Sequence, residues 1–450
     1  MSEEQIYKTV TWRLLPFIAT CYMVAYLDRV NVGFAKLQML NDLGMSEAAY
    51  GLGAGIFFLG YLLFEVPSNL ILHKVGAKSW LARIMITWGI ISGAMAYTGE
   101  LGALFGVSSE TMFYILRFLL GLAEAGFFPG LILYLSYWYP SYRQARIVAL
   151  LLIAQPVSFI IGGPLSGWII DSMSGAGEMQ GWKWMFIIEA IPAVVLGASI
   201  PFYLNNGIQT AHWLSAEEKL IMSRNLAQEN KTKSDYPLGH LLRIGMVWTF
   251  VLIYFLLVIG IYGINFWLPS IIKSTGVRSN LTVGLVTAIP YAISVAIMLW
   301  ASHHAEKVNE KRWHTTIAGV LAGLGLIASA YVGSNTVLTI AFISVAIGGG
   351  LTVNALFWSF PNSMLTGAAA AAGIATINSI GALGGFFGPT ILGWLSTRLG
   401  DTSAGLSVLG LCLIASGLVV ALSCKDHGLK QAERNAPGRE PAAEFGSARQ

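Results

Sequence analysis

MFYILRFLLGLAEAGFFPGLILYLSYW, residues 112–138, is long and apolar enough to cross a lipid bilayer as a helix, yet it contains Arg117 and Glu124. A spanning helix needs about 20 mostly apolar residues. Charged side chains at bilayer depth are costly, so they face a protein interior or an aqueous cavity and often mark a transport pathway. The stretch therefore predicts a membrane helix with a functional polar face.

A second apolar stretch carries charges in the same way. It reads LLPFIATCYMVAYLDRVNVGFA over residues 14–35 and contains Asp28 and Arg29. Arg29 lies seven residues before Lys36, and Arg117 lies five residues after the start of its own stretch, so the two arginines are at similar depths. Because a guanidinium can hold a carboxylate through two parallel hydrogen bonds, this arrangement predicts a clamp for an anion.

The two carboxylates, Asp28 and Glu124, are predicted to couple protons to transport. With all four groups ionised the charges cancel, and protonating both acids leaves two positive charges that favour an anionic ligand. The coupling ion would be H⁺, with no other cofactor. Two buried salt bridges that only hold helices together are the alternative, although desolvation makes buried pairs poor sources of stability.

The composition places the whole chain in a membrane. Its 450 residues are 55% hydrophobic and only 11% charged, with a mean hydropathy of +0.65. Soluble domains average about 25% charged residues. Cys21, Cys412 and Cys424 have no metal-ligand spacing, and the sequence has neither a G-x-S-x-G motif nor a phosphate loop. We therefore expect a protein of the lipid bilayer that is not an enzyme and binds no metal.

Twelve segments are long enough to span, and one long polar interruption divides them six and six. We number them spans 1–12, at approximately 14–36, 50–72, 80–98, 112–138, 147–170, 184–204, 244–268, 281–302, 314–333, 336–358, 371–396 and 404–424. The predicted fold class is all-α integral membrane with twelve transmembrane helices. The predicted parts are an N-terminal half at 1–204, a cytoplasmic linker at 205–243, a C-terminal half at 244–424 and a disordered cytoplasmic tail at 425–450.

Lysines and arginines set the orientation, because they accumulate in cytoplasmic segments. With the N-terminus inside, 20 of the 27 basic residues fall on the inner side, five on the outer side and two in the membrane. The outer five are Lys36, Lys183, Lys273, Arg278 and Arg398. Both termini are therefore predicted to be cytoplasmic, in a bacterial inner membrane, and span 1 is not expected to be a cleaved signal. The net charge of +4 follows from this topology and predicts no nucleic-acid partner.

Two pairs of spans resemble each other. Span 4 ends in YWYP at 137–140 and span 10 in WSFP at 358–361. Span 5 reads AQPVSFIIGGPLSGW and span 11 reads INSIGALGGFFGPTILGW, so Gln155 and Asn378 each precede a glycine-rich stretch, a Gly-Pro and a Gly-Trp. The pattern predicts two homologous halves with pseudo-two-fold symmetry about an axis along the membrane normal.

Aromatic residues with polar groups are further candidates for the lining of a cavity. Tyr26 stands one turn before the first arginine, Tyr61 lies in the middle of span 2, and Tyr262 and Asn265 occur in YGINFW of span 7. We add Trp358 of span 10 to these predicted substrate-binding residues.

YLDRVN, RFLLGLAEAGFFPG, EVPSN followed by KVGAK, and SYWYPSYRQAR resemble the motifs of the anion:cation symporter family of the major facilitator superfamily. The resemblance extends over essentially the whole chain and is strongest over residues 20–190. It implies the fold of that superfamily and the transport of organic acids. The sequences AEAGFFPG and YWYP are closer to those of tartrate and hydroxyphenylacetate permeases than to those of galactonate transporters.

The resemblance also implies roles for particular residues. It assigns protonation to Asp28 and Glu124 and contact with the substrate carboxylate to Arg29 and Arg117. The further motif positions that it places in the substrate site are Tyr26, Tyr61, Gln155 and Asn378.

We expect a monomeric symporter that imports a small organic anion with protons by alternating access. The anion is predicted to be a hydroxy-dicarboxylate or a sugar acid, and proton uptake on the carboxylates is expected to accompany inward release. An aromatic-acid symporter and an anion exchanger or uniporter on the same fold are alternatives. A channel is disfavoured, because the polar residues cluster at one depth instead of lining a continuous pore.

The orientation can be tested by site-directed labelling. Because the basic residues accumulate on one side, a cysteine at Ser234 should react with a membrane-impermeant maleimide only from the cytoplasm, and a cysteine at Ser279 only from outside. Intact cells and inverted vesicles give the two measurements. The opposite pattern would refute the predicted orientation.

Overall fold

The computed structural model describes residues 2–230, 244–364 and 368–424. Within these ranges the chain forms helices and turns and no strand, and all twelve predicted spans are present. Their bounds are Glu3–Leu43, Glu47–Val75, Ala77–Phe105, Ser109–Ser136, Tyr142–Met173, Gly181–Tyr203, Gly245–Ser274, Asn280–Lys307, Arg312–Ala330, Thr336–Asn362, Gly373–Leu399 and Ser403–Ser423. The predicted fold class is confirmed, and most helices extend beyond the apolar segments that identified them.

Span 4 is interrupted in its middle, whereas the sequence predicted one continuous helix. It consists of Ser109–Glu124 and Phe127–Ser136. Gly126, between the two segments, has a φ of +81°, a left-handed conformation that glycine adopts without strain. A Cβ atom at this glycine would also collide with Ser68 of span 2. The break directly after Glu124 therefore depends on close packing between spans 2 and 4.

The spans that resemble each other in sequence are all interrupted. Besides span 4, the interrupted members of these pairs consist of Ser141–Leu152 and Ala154–Met173, Thr336–Phe357 and Ser359–Met364, and Ala368–Gly381 and Gly384–Leu399. Span 3 is also divided, into Ala77–Ala94 and Thr98–Phe105. The breaks fall at different places in the paired spans: aligning YWYP at 137–140 with WSFP at 358–361 puts Gly126 opposite Ile347, which lies inside the helix Thr336–Phe357.

The two halves meet along two pairs of spans, 2 with 11 and 5 with 8, and span 1 also contacts span 7. Exchanging the halves turns span 2 into span 8 and span 11 into span 5, so the two pairs are equivalent. Span 1 in the same way exchanges with span 7. The interface therefore has the pseudo-two-fold symmetry that the repeat predicts.

At the end of the bundle opposite the N-terminus, the backbones of the two halves come into close contact. A Cβ atom on Gly163 of span 5 would lie 2.9 Å from the carbonyl oxygen of Gly284 in span 8. In the equivalent pair, a Cβ atom on Gly51 would lie 3.0 Å from the Cα atom of Gly393. Small residues allow helices to approach this closely. In the predicted orientation this end is extracellular, so the structure is a state closed to the outside.

Polar contacts between the halves reinforce the closed end. The Asp171 carboxylate, at the end of span 5, accepts hydrogen bonds from Ser279 Oγ at 2.8 Å, Asn280 Nδ2 at 2.7 Å and the Leu281 backbone N–H at 2.8 Å. These donors are Ser279, which caps span 8, and the first two residues of that span. Asp171 therefore acts as a cap, contributed by the other half, for the N-terminus of that helix.

Lys36, which the sequence placed at the outer end of span 1, also takes part in the contact between the halves. It lies inside the helix of span 1, is only 4% exposed and forms an ion pair with Glu47 at 2.6 Å. Glu47 in turn accepts a hydrogen bond from the indole nitrogen of Trp267 in span 7 at 3.2 Å. The Lys36 ammonium lies 4.3 Å from the centre of a Trp267 ring, within cation–π distance.

The first part of the linker packs against the N-terminal half, at the end of the bundle that carries the N-terminus. Ser215 and Glu218 make reciprocal capping contacts at the start of the helix Ala216–Asn230. Trp213, just before this helix, stacks on Trp138 with ring centres 5.7 Å apart. The rest of the predicted linker, 231–243, and the predicted tail, 425–450, lie outside the described residues.

The close contact between spans 5 and 8 predicts that adding a single methyl group at Gly284 changes how accessible the closed end is. Gly284→Ala should push spans 5 and 8 apart, because the added Cβ meets the backbone of Gly163. Thr287, one turn further along span 8, is 2% exposed. A cysteine placed there, with the native cysteines replaced by serine, should therefore react several times faster with a maleimide in the Gly284→Ala background.

The matched control for this experiment is Gly245→Ala. A Cβ atom there meets no atom within 4 Å, so the labelling rate at position 287 should stay at the parent value. An unchanged rate in Gly284→Ala would show that the glycine contact does not hold the outer end closed.

Candidate functional site

Arg29 is at the centre of a polar site between the two halves. Its guanidinium forms an ion pair with Glu124 of span 4, and its side chain is only 10% exposed. The same guanidinium donates a hydrogen bond to the hydroxyl of Tyr262 in span 7 at 3.4 Å. Because spans 1 and 4 belong to one half and span 7 to the other, the site depends on how the halves are placed.

Aromatic rings surround the Arg29 guanidinium. Its Cζ lies 4.8 Å from the ring centre of Tyr26, 5.3 Å from that of Phe57 and 5.7 Å from that of Tyr61. These distances are within the range of cation–π attraction. The structure thus places the predicted Tyr26, Tyr61 and Tyr262 around one arginine. Phe57 was not predicted, because a phenylalanine without a polar group cannot be distinguished from a packing residue in sequence.

Arg117 also lies beside Phe57. Its Cζ is 5.0 Å from the ring centre of Phe57, and the residue is 1% exposed. Its Nε and one terminal nitrogen donate to the backbone carbonyls of Gly53 at 3.3 Å and Ala54 at 3.2 Å, both in span 2. The two arginines are therefore close together, but they differ in their partners: Arg29 is paired with a carboxylate and Arg117 binds backbone oxygens.

Glu124 is the last residue of the first helical segment of span 4. It is 3% exposed, and its carboxylate accepts from Arg29. The chain leaves the helix at Ala125, which has a φ of −55° and a ψ of 134°. The acid that was predicted to couple protons thus lies at a helix break and in direct contact with the predicted substrate-binding arginine.

Asp28 lies elsewhere, and the prediction of one four-charge cluster is wrong in this respect. Its carboxylate accepts hydrogen bonds from Trp88 Nε1 at 2.7 Å, Ser92 Oγ at 3.4 Å and Asn31 Nδ2 at 3.4 Å. Successive residues of a helix project about 100° apart, so Asp28 faces spans 3 and 6 while Arg29 faces the interface between the halves. With Arg29, Arg117 and Glu124 all ionised, the site itself has a net charge of +1.

Gln155 and Asn265 line a small cavity between the halves, one helical turn beyond Tyr262. Asn265 Oδ1 accepts from the hydroxyl of Tyr291 at 2.8 Å, and the Tyr291 ring stacks on Phe159 with centres 4.3 Å apart. The sequence did not predict Tyr291 or Phe159. The two predicted amides are therefore close to each other and next to the arginine site, in a pocket walled by aromatic rings.

Trp358 and Asn378 lie nearer the end of the bundle that carries the N-terminus. Trp358, at the break of span 10, packs against Tyr254 with ring centres 5.0 Å apart. Asn378 precedes Ser379, whose hydroxyl donates to Glu65 of the other half at 3.0 Å. Among the described residues, the hydrogen bonds and ring contacts of Arg29 include neither Trp358 nor Asn378. Their predicted role in substrate binding stays a prediction.

Twelve membrane spans in two symmetric halves, with a charged site at the interface between the halves, define a multi-pass membrane transporter. Residues 18–389 match the Major Facilitator Superfamily, and the chain belongs to that family. The sequence motifs predicted this superfamily.

Known relatives extend over nearly the whole chain. A protein of Agrobacterium vitis named "Putative tartrate transporter" is 46% identical over 93% of this chain and 94% of its own. A protein of Pseudomonas putida named "Putative metabolite transport protein NicT" is 43% identical over 94% of this chain and 95% of its own. A partially occluded inward open structure of the xylose transporter XylE from E. coli has 15% sequence identity and a TM-score of 0.70, covering 91% of this chain and 97% of that one. The relatives support transport of small organic compounds, and the structural likeness shows the fold.

The site predicts a strict requirement for arginine at position 29. Lysine keeps the charge but lacks the fork that reaches Glu124 and Tyr262 together, so Arg29→Lys should weaken anion binding at least tenfold. The measurement is the thermal shift that dicarboxylates and sugar acids produce in the purified protein. Arg117→Lys is the comparison: it should also weaken binding, with a lower melting temperature of the unliganded protein, since it loses two backbone contacts. Near-normal affinity in both variants would contradict the clamp.

Proposed function

We propose that the protein is a proton-coupled symporter that imports a small organic anion across a bacterial inner membrane. It would work as a monomer, by alternating access, with both termini in the cytoplasm. The substrate would be a carboxylate, either a hydroxy-dicarboxylate or a sugar acid. The observation that carries the proposal is the ion pair between Arg29 and Glu124 at the interface between the halves.

The ion pair suggests how a proton and an anion are coupled. A substrate carboxylate and the Glu124 carboxylate compete for the Arg29 guanidinium. Protonation of Glu124 removes the competitor and raises the charge of the site from +1 to +2, which favours binding of the anion. When the proton leaves, the Glu124 carboxylate forms its ion pair with Arg29 again and the anion is released.

This order differs from the one expected from the sequence, in which proton uptake accompanied inward release. The direct contact between Arg29 and Glu124 favours proton uptake together with substrate on the outside and proton loss on the inside. The state described here, with the outer end closed and the ion pair formed, fits a stage after release of both. Leaving either charge buried without its partner would cost about 3–5 kcal/mol, so the exchange of partners must be tight.

An aromatic acid is the second candidate substrate. The rings of Tyr26, Phe57 and Tyr61 around Arg29 could pack against an aromatic body while the guanidinium holds its carboxylate. A thermal-shift screen of the purified protein with tartrate, galactonate and 4-hydroxyphenylacetate distinguishes the classes. The best binder is then used for transport assays.

Glu124→Gln separates binding from coupling. The amide imitates the protonated acid, so the variant should bind the anion at least as tightly as the parent and lose accumulation driven by a pH gradient in proteoliposomes. Counterflow exchange should survive. Glu217→Gln, on the exposed face of the linker helix, is the control and should transport normally.

Two results would contradict this scheme. Accumulation against a gradient by Glu124→Gln would place proton coupling elsewhere, with Asp28→Asn as the next variant to measure. Uptake by the parent protein that ignores the pH gradient would favour an exchanger or uniporter on the same fold.

A further inference from the structure

A second pair of buried carboxyl groups lies inside the N-terminal half, away from the Arg29 site. Asp28 of span 1 is 3% exposed and Glu189 of span 6 is 1% exposed. Asn31, 1% exposed, lies between them: its Nδ2 donates to Asp28 Oδ1 at 3.4 Å, and its side chain is also within hydrogen-bonding reach of the Glu189 carboxyl. The three side chains form a continuous polar chain in an otherwise apolar interior.

The two carboxyl groups have very different numbers of donors. Asp28 accepts three hydrogen bonds, as described above, which suits an ionised carboxylate. Glu189 accepts one, from Ser166 Oγ to its Oε1 at 2.7 Å. Glu189 Oε2 and Asn31 Oδ1 are both buried and without a hydrogen-bond partner. Buried acceptors with no donor are costly in a protein interior, and a proton on Glu189 Oε2 that is donated to Asn31 Oδ1 would satisfy both.

No basic side chain faces this pair in the described part of the chain. Arg29 adjoins Asp28 in sequence, but its guanidinium is paired with Glu124, which acts on Asp28 only as a further negative charge. The other charged residues of spans 1, 3, 5 and 6 are at least five positions from the cluster along their own helices. The nearest of these along each helix are Lys36, Arg83, Asp171 and Lys183. With both acids ionised, the pair would bury a charge of −2 without a counterion.

We propose that Glu189, Asn31 and Asp28 form a second proton-binding site. Glu189 holds the proton on Oε2 and donates it to Asn31 Oδ1, Asn31 Nδ2 donates to Asp28, and Asp28 stays ionised. One proton lowers the buried charge from −2 to −1 and supplies the missing donor. Asp28 is adjacent to Arg29 on span 1, so the charge of this site acts on the helix that carries the substrate-binding arginine. The role of the site in transport rests on the proposed proton coupling, but its existence does not.

Infrared difference spectroscopy of the purified, ligand-free protein in sodium-free buffer tests the site directly. The parent protein should show a protonated-carboxyl band at neutral pH that shifts in D₂O. Glu189→Gln should lose this band, and Glu217→Gln, which changes an exposed acid, should keep it. Asn31→Leu should keep the band at a shifted frequency, because the carboxyl loses its hydrogen-bond acceptor. If Glu189 and Asn31 had only a packing role, the band would be unchanged in all of these variants.

The proposal is overturned if Glu189→Gln retains every protonated-carboxyl band of the parent. It is also overturned if addition of NaCl abolishes the band, which would assign the site to a sodium ion. If Glu189→Gln does not fold, an unshifted band in Asn31→Leu would refute the site by itself. Uptake that ignores the pH gradient, together with an intact Glu189 band, would instead contradict the proposed function and leave this site standing.

Discussion

The ion pair between Arg29 and Glu124 is the interaction on which the rest of the site depends. Both side chains are largely buried, and each charge would be costly alone. Arg29 comes from span 1, Glu124 from the break in span 4, and the Tyr262 contact from span 7 of the other half. A change of partner at Arg29 therefore alters contacts within one half and between the halves together.

The other buried charged groups are held by local partners, and this determines what each can do. Arg117 is held by backbone carbonyls of span 2, so it contributes a fixed positive charge beside Phe57. Lys36 is held by Glu47 at the closed end, where it takes part in the contact between halves. Asp28 receives three donors within the N-terminal half. Glu124, Glu47 and Asp28 thus belong to three separate environments.

Hydrophobicity and charge were enough to predict the twelve spans, the two halves and a site around Arg29, Glu124 and three tyrosines. These features follow from the cost of burying charge and from the length of a helix, which are properties of the sequence itself. The break after Glu124 was missed because it depends on the contact of Gly126 with Ser68, two spans apart in the chain. Phe57 and Tyr291 were missed for the same reason: only tertiary packing distinguishes them from other core aromatics.

The position of the Asp28 side chain was predicted wrongly for a different reason. The 100° step between neighbouring residues of a helix was available from the start, and it already separates Asp28 from Arg29. Adjacency in sequence was interpreted as adjacency in space. The partners of Glu189, by contrast, come from spans 1 and 5 and could not be inferred without the fold.

The glycine contacts at the closed end, opposite the N-terminus, have a consequence for the leakage of water and ions. Where Gly163 meets Gly284 and Gly51 meets Gly393, the barrier consists of backbone against backbone, and no side chain can rotate to open a passage for water or ions. Thermal motion of rotamers, which occurs within nanoseconds, therefore cannot admit a proton through these contacts. Only a rigid displacement of one half relative to the other opens them, so this end of the protein stays sealed for as long as the halves keep the arrangement described here.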